Sequence, residues 1–76
     1  MKRETWTIIR DELTKDIRAG RLSAGDQLPT EPQLADRFGS GRHSVRKALE
    51  ALAREGRISI EQGRGSFVAD TPRLTY

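Results

Sequence analysis

Arg42, Arg46 and Arg64 are the residues of this sequence best suited to chemistry with a partner. A guanidinium is a planar fork of donors that matches the O6/N7 edge of a guanine or the oxygens of a phosphate. His43, Ser44 and Lys47 share a short segment with Arg42 and Arg46. Ser44 can donate to a phosphate oxygen or read a base edge, Lys47 suits a phosphate, and His43 suits a groove contact. Arg64 stands between Gly63 and Gly65, which let the backbone turn tightly and approach a ligand closely. Each has a plainer alternative. Arg42 could sit in a surface ion pair, and Arg46 could pair with Glu50 at i+4. His43 and Lys47 could simply be solvated, and Arg64 could be an exposed residue on an ordinary hairpin.

Catalytic chemistry finds less support. His43 is the single histidine and there is no cysteine, so neither a Cys/His metal cluster nor a disulfide framework is available. No nucleophile–base pair stands out. Gly63-Arg64-Gly65 is not a nucleotide fingerprint, because no helical pattern follows it. The chain is read as a non-enzyme that needs no cofactor.

The charge is unevenly spread. Residues 1–39 hold seven Lys/Arg and seven Asp/Glu, whereas residues 40–76 hold seven and four, so the whole excess of +3 lies in the second half. That asymmetry suggests a polyanionic partner; a slightly basic solvated surface is the alternative. The 76 residues fit one small domain, and 34% hydrophobic content permits only a limited core. No apolar run reaches the length of a membrane span. Lys2 and Arg3 precede an amphipathic stretch and not a secretory apolar region. A soluble, cytoplasmic protein is expected, with no membrane partner.

These side chains need elements to hold them. Trp6, Ile9, Leu13 and Ile17 recur at steps of three and four, which predicts a helix over residues 4–19 closed by Gly20, with Trp6 in the core. Residues 20–29 form a connector with Leu28 as its core anchor. Thr30-Glu31-Pro32-Gln33 reads as a helix start, with Thr30 as N-cap and Gln33 at the capping-box position. Leu34, Ala35 and Phe38 give that helix its apolar face, and Gly39 ends it. A third helix is expected over 42–55, up to Gly56. At about 100° per residue, Ala48, Leu49 and Leu52 fall within about 60° of Val45, while His43, Lys47 and Arg54 point the other way. Arg54 and Arg57, near the helix end, are given structural roles. Beyond Gly56 the period changes to two. Ile58 and Ile60 alternate with Ser59 and Glu61, Gln62 to Gly65 form a turn, and Ser66 to Ala69 form a second strand. The expected fold is mainly α with a small β-hairpin, a winged helix-turn-helix of three helices plus a wing. It covers residues 1–70, and residues 71–76 begin a linker.

The ordered set of motifs resembles the N-terminal domain of GntR-type bacterial transcriptional regulators. It comprises Gly20-Arg21-Leu22, Gly25-Asp26-Gln27-Leu28-Pro29-Thr30-Glu31, Leu34-Ala35, Phe38-Gly39, Arg42-His43-Ser44-Val45-Arg46-Lys47-Ala48-Leu49, Leu52, Glu55-Gly56 and Gly63-Arg64-Gly65-Ser66-Phe67-Val68. Together these cover about residues 5–69. The wing Gln62 to Val68 resembles the HutC-like branch, and the Arg42-His43 pair resembles its phosphonate-metabolism regulators. The resemblance implies sequence-specific binding of double-stranded operator DNA, with helix 42–55 in the major groove and the wing, residues 61–66, at the minor groove. It places DNA-contacting arginines at Arg42 and Arg46. Ser44, His43, Lys47, Gly63, Arg64 and Gly65 complete the expected surface, with Thr30 and Gln33 as caps first and phosphate contacts second. It further implies a homodimer, a repressor answering to a small-molecule effector, and a C-terminal effector-binding domain of which this chain shows no part.

Two positions depart from the family pattern. Gly41 stands where a Ser or Thr is usual, and losing a hydroxyl cap to glycine costs only a few tenths of a kcal/mol. Pro32 stands where many relatives have an arginine that reaches DNA, a role proline cannot fill. Two rival functions predict different residues. A protein-interaction module predicts a neutral or acidic third helix, contrary to Arg42, Arg46 and Lys47. An RNA binder usually exposes aromatics for stacking, and only four aromatics are present.

Overall fold

The apolar spacing of the first segment produces α1, Thr5–Arg18, in a computed structural model. The structure describes residues 4–69, and the expectation of a linker at 71–76 falls outside them. Ile9 and Leu13 are wholly buried, whereas Ile17 and Trp6 pack against the core from its edge. Trp6 is half-buried and packs on the core from its rim, and does not lie within it as its spacing suggested.

Thr30 caps α2, Glu31–Phe38, as a full capping box. The Gln33 amide N–H donates to Thr30 Oγ1 at 3.2 Å, and the Thr30 amide N–H donates to Gln33 Oε1 at 2.9 Å. Two otherwise orphaned N–H groups are satisfied reciprocally. Gly39 ends the helix at φ 62°, ψ 38°, a left-handed conformation that costs glycine nothing.

The third helix, α3, runs Arg42–Arg54 with Gly41 at its N-cap. No side chain caps it, since the Ser40 hydroxyl donates to the Gly41 carbonyl at 3.3 Å. Val45, Ala48, Leu49 and Leu52 are buried. They pack against α1, α2 and the first strand, so α3 is the hub of the core.

A two-stranded antiparallel hairpin follows, β1 Ile58–Glu61 and β2 Gly65–Val68, in the register Ile58↔Val68 to Glu61↔Gly65. Ile58 and Val68 are buried at its base. Ile60 shares their side of the ribbon but is 44% exposed. The hairpin outruns the helices beneath it, so the alternation expected to bury Ile60 outlasts the core.

The connector also joins the hairpin, which the sequence did not suggest. The Leu28 N–H donates to the Ser66 carbonyl at 2.8 Å, the Val68 N–H to the Asp26 carbonyl at 2.8 Å, and the Gly25 N–H to the Val68 carbonyl at 2.9 Å. Gln27 and Phe67 form an isolated antiparallel bridge. Leu28, 3% exposed, is the anchor expected of it.

One buried carboxylate ties the helices together. Asp16 accepts from Arg21 Nε at 3.0 Å and from Arg37 Nη2 at 3.3 Å. Its backbone carbonyl accepts from the Arg21 and Leu22 N–H groups. A carboxylate removed from water needs such partners. Among the described residues no buried side-chain nitrogen or oxygen is left without one.

Leu52→Ala should cost ~2–5 kcal/mol by opening a cavity at the hub, and Ile60→Ala distinctly less; urea unfolding followed by circular dichroism compares them, and equal losses would contradict this core. Thr30→Ala should cost about 0.5–2 kcal/mol, lowering Tm by roughly 4–8 °C per kcal/mol lost, while Thr30→Ser keeps most of the cap. A thermal melt of Thr30→Ala that matched the parent would remove the capping box from the account.

Candidate nucleic-acid interface

Burying one stripe of α3 forces the opposite side outward. His43, Arg46 and Lys47 are exposed along the helix, Arg42 is exposed at its start, and Ser44 is half-buried in its first turn. The exposed side forms a ridge between two depressions. Toward α1, the depression is lined by Trp6, His43, Arg46, Lys47 and Arg54 among others. Toward the hairpin and the α2 start, it is lined by Thr30, Glu31, Pro32, Arg46, Ile60 and the wing tip with Arg64. Arg46 and Glu50 border both. Arg42, Ser44 and Gln33 border neither.

On this surface Arg46, Arg64 and Lys47 each stand beside a carboxylate. Arg46 donates to Glu31 through Nη2 at 3.2 Å and Nε at 3.4 Å. Glu50, the i+4 neighbour, acts on Arg46 only through its charge. The hydrogen bond with Glu31, then the Glu31 charge, raise the Arg46 pKa above its ordinary value. Glu31 reaches Arg46 because α2 places its first residue beside the middle of α3. Fifteen residues separate the two, and no local periodicity signals such a contact.

Arg64 Nη1 lies 3.5 Å from Glu61 Oε1, and its guanidinium carbon is 5.9 Å from the Phe67 ring centroid. Lys47 Nζ lies 4.0 Å from Glu4 Oε1. Such exposed pairs are weak and screened by salt. They hold the cations in place without committing them.

The wing tip needs its glycines. Gly63 has φ +76° and Gly65 φ +115°, the left-handed region that side chains disfavour. A Cβ on Gly65 would also stand 2.7 Å from Gln27 Nε2. That amide donates to the Arg64 carbonyl at 2.9 Å, so the connector fastens the turn that presents Arg64. Sequence reasoning gave Gln27 no role, since its contact spans 37 residues.

The caps also bear on the surface. Thr30 Oγ1 and Gln33 Oε1 are engaged in the capping box, which leaves the Gln33 Nε2 donor facing outward from an exposed side chain. Arg54 stands in the last turn of α3, as its structural role requires, and also lines the depression shared by His43 and Lys47. Arg57 fits its role, donating to Glu55 at 2.9 Å. Among the described residues no group of three His, Cys, Asp or Glu side chains could hold a metal ion, and no helix is long and apolar enough to cross a membrane.

Known proteins share this arrangement. The chain is 40% identical over 72 residues to the Uxu operon regulator of Haemophilus influenzae, across 95% of this chain and 27% of that protein. It is 34% identical over 76 residues to the transcriptional regulator TreR of Bacillus subtilis, across 100% of this chain and 32% of that protein. The chain thus spans roughly a third or less of the length of these relatives, which are regulators by name. Among solved structures, it superposes with a TM-score of 0.87 on the AraR DNA-binding domain crystallised with operator ORX1, at 32% identity over 90% of this chain and 82% of that one. It superposes with a TM-score of 0.85 on YtrA from Sulfolobus acidocaldarius, a GntR-family transcription factor, at 30% identity over 95% of this chain and 76% of that one. The family model of bacterial regulatory proteins, gntR family, matches residues 7–68, from the first turn of α1 to the end of β2, and the chain belongs to that family.

Proposed function

We propose that this domain binds double-stranded operator DNA sequence-specifically, with α3 in the major groove and the wing against the neighbouring minor groove. The observation that carries this is the exposed basic side of α3 beside a glycine-built wing, on a fold that AraR uses in complex with its operators. Arg42 and Arg46 read bases or clamp phosphates. Lys47 and Ser44 hold phosphates, and His43 lies along the groove. Arg64, lifted by Gly63 and Gly65, reaches the minor groove or its phosphates. Thr30 and Gln33 bring the α2 start to the backbone. The α3 N-terminus, without a side-chain cap, offers its free N–H groups to a phosphate. Phosphate contacts supply affinity and base contacts supply sequence.

The full regulator is a cytoplasmic homodimer on a two-fold operator. A small-molecule effector on a C-terminal domain changes the spacing of the two heads and releases DNA, which makes the protein a ligand-responsive repressor. Repressors among the relatives support this role, NanR of Enterobacter being 40% identical over 62 residues. Within this reading, the wing from Gln62 to Val68 and the Arg42-His43 pair favour the HutC-like branch and its phosphonate-metabolism regulators, while the relatives carry several different regulator names.

Fluorescence anisotropy with labelled duplex across a salt series tests the reading. Binding should weaken with a log–log slope of roughly −4 to −5, the value for about five phosphate contacts. The Arg42→Ala, Arg46→Ala double variant should lose it. A folded domain that ignores duplex DNA at low salt would refute the proposal.

A further inference from the structure

The Glu4 carboxylate has an unexpected partner. Glu4 is the N-cap of α1, where a carboxylate ordinarily accepts from the free N–H groups of the first turn. It makes no such bond. Glu4 Oε1 instead accepts from Trp6 Nε1 at 2.7 Å and lies 4.0 Å from Lys47 Nζ. The carboxylate thus faces the indole N–H and the ammonium and not the helix N-terminus.

Their surroundings are cationic. Lys47 Nζ is 5.1 Å and the Arg10 guanidinium carbon 5.4 Å from the Trp6 ring centroid, both within cation–π reach. His43, Arg46 and Arg54 line the same depression together with Glu50, while Arg46 is paired with Glu31 and Arg10 with Asp11 and Glu55. This depression continues the exposed side of α3. The single carboxylate satisfies the indole but stays too far from Lys47 for a short hydrogen bond. A phosphodiester spreads the same single charge over two oxygens and, not being tethered to the start of α1, can settle where it meets both donors together.

We propose that Trp6 Nε1 and Lys47 Nζ form a seat for a backbone phosphodiester of duplex DNA, and that the Glu4 carboxylate occupies it in the free domain. The proposal rests on the DNA-binding reading and extends it to α1. The helix becomes a fourth grip on the duplex beside α3, the wing and the α2 start. Glu4 is then an internal competitor: DNA must displace it, so its charge lowers affinity for any duplex. A merely structural Glu4–Trp6 contact would do the opposite, since losing it would leave binding unchanged or weaker.

The test uses the 76-residue chain and a 20-base-pair duplex of arbitrary sequence at low salt, read by anisotropy, with circular dichroism to confirm folding. Glu4→Gln should bind at least twofold more tightly. Trp6→Phe keeps the ring but loses the donor, and should bind at least threefold more weakly. A smaller effect in either variant overturns the seat. Should Trp6→Phe not fold, the emission of Trp6, the only tryptophan, takes its place. A shift or quench on saturation with duplex supports the seat, and an unchanged spectrum overturns it. These failures differ from failure of the DNA-binding reading itself, in which the parent chain binds no duplex at all.

Discussion

The burial of one stripe of α3 is the constraint on which the rest of the molecule depends. Val45, Ala48, Leu49 and Leu52 must leave water together, and a small domain can cover them only by closing α1, α2 and the base of the hairpin around one helix. At 3.6 residues per turn, that burial turns His43, Arg46 and Lys47 to the outside with no further instruction. The partner-facing surface is the other side of the core helix. Its precision is inherited from the packing of Val45 and Leu52, both wholly excluded from solvent.

A helix held so rigidly still needs its charges kept in order before a partner arrives. Glu31, Glu61 and Glu4 each stand beside one cation of the surface, Arg46, Arg64 and Lys47 in turn. The carboxylates restrain long side chains that would otherwise sample many rotamers. They also reduce the bare positive field, which limits indiscriminate attraction to polyanions. Exposed pairs suit both purposes because salt and solvent keep them weak enough to exchange.

The remaining polar contacts fasten pieces that the core does not reach. Asp16 brings together the end of α1, the connector and the end of α2 through Arg21 and Arg37. The connector then runs beside β2, and Gln27 holds the wing turn by the Arg64 carbonyl. A two-stranded ribbon alone is marginal in water. Here it is supported at its base by Ile58 and Val68 and at its side by the connector.

The sequence by itself determined what local rules can express. The apolar steps from Ile9 to Ile17, the Thr30–Gln33 box, the left-handed glycines and the change from period 3.6 to period 2 fixed the five elements to within a residue or two. They also separated the exposed basic side of α3 from its buried stripe. The tertiary structure decided what depends on distance through space. It chose Glu31 over Glu50 for Arg46, gave Gln27 to the wing, moved Trp6 to the rim beside Lys47 and left Ile60 beyond the core. The physical reason is one of range. Periodicity and capping act within a turn or two of backbone, whereas an ion pair or a burial limit is set by whichever element packing brings alongside.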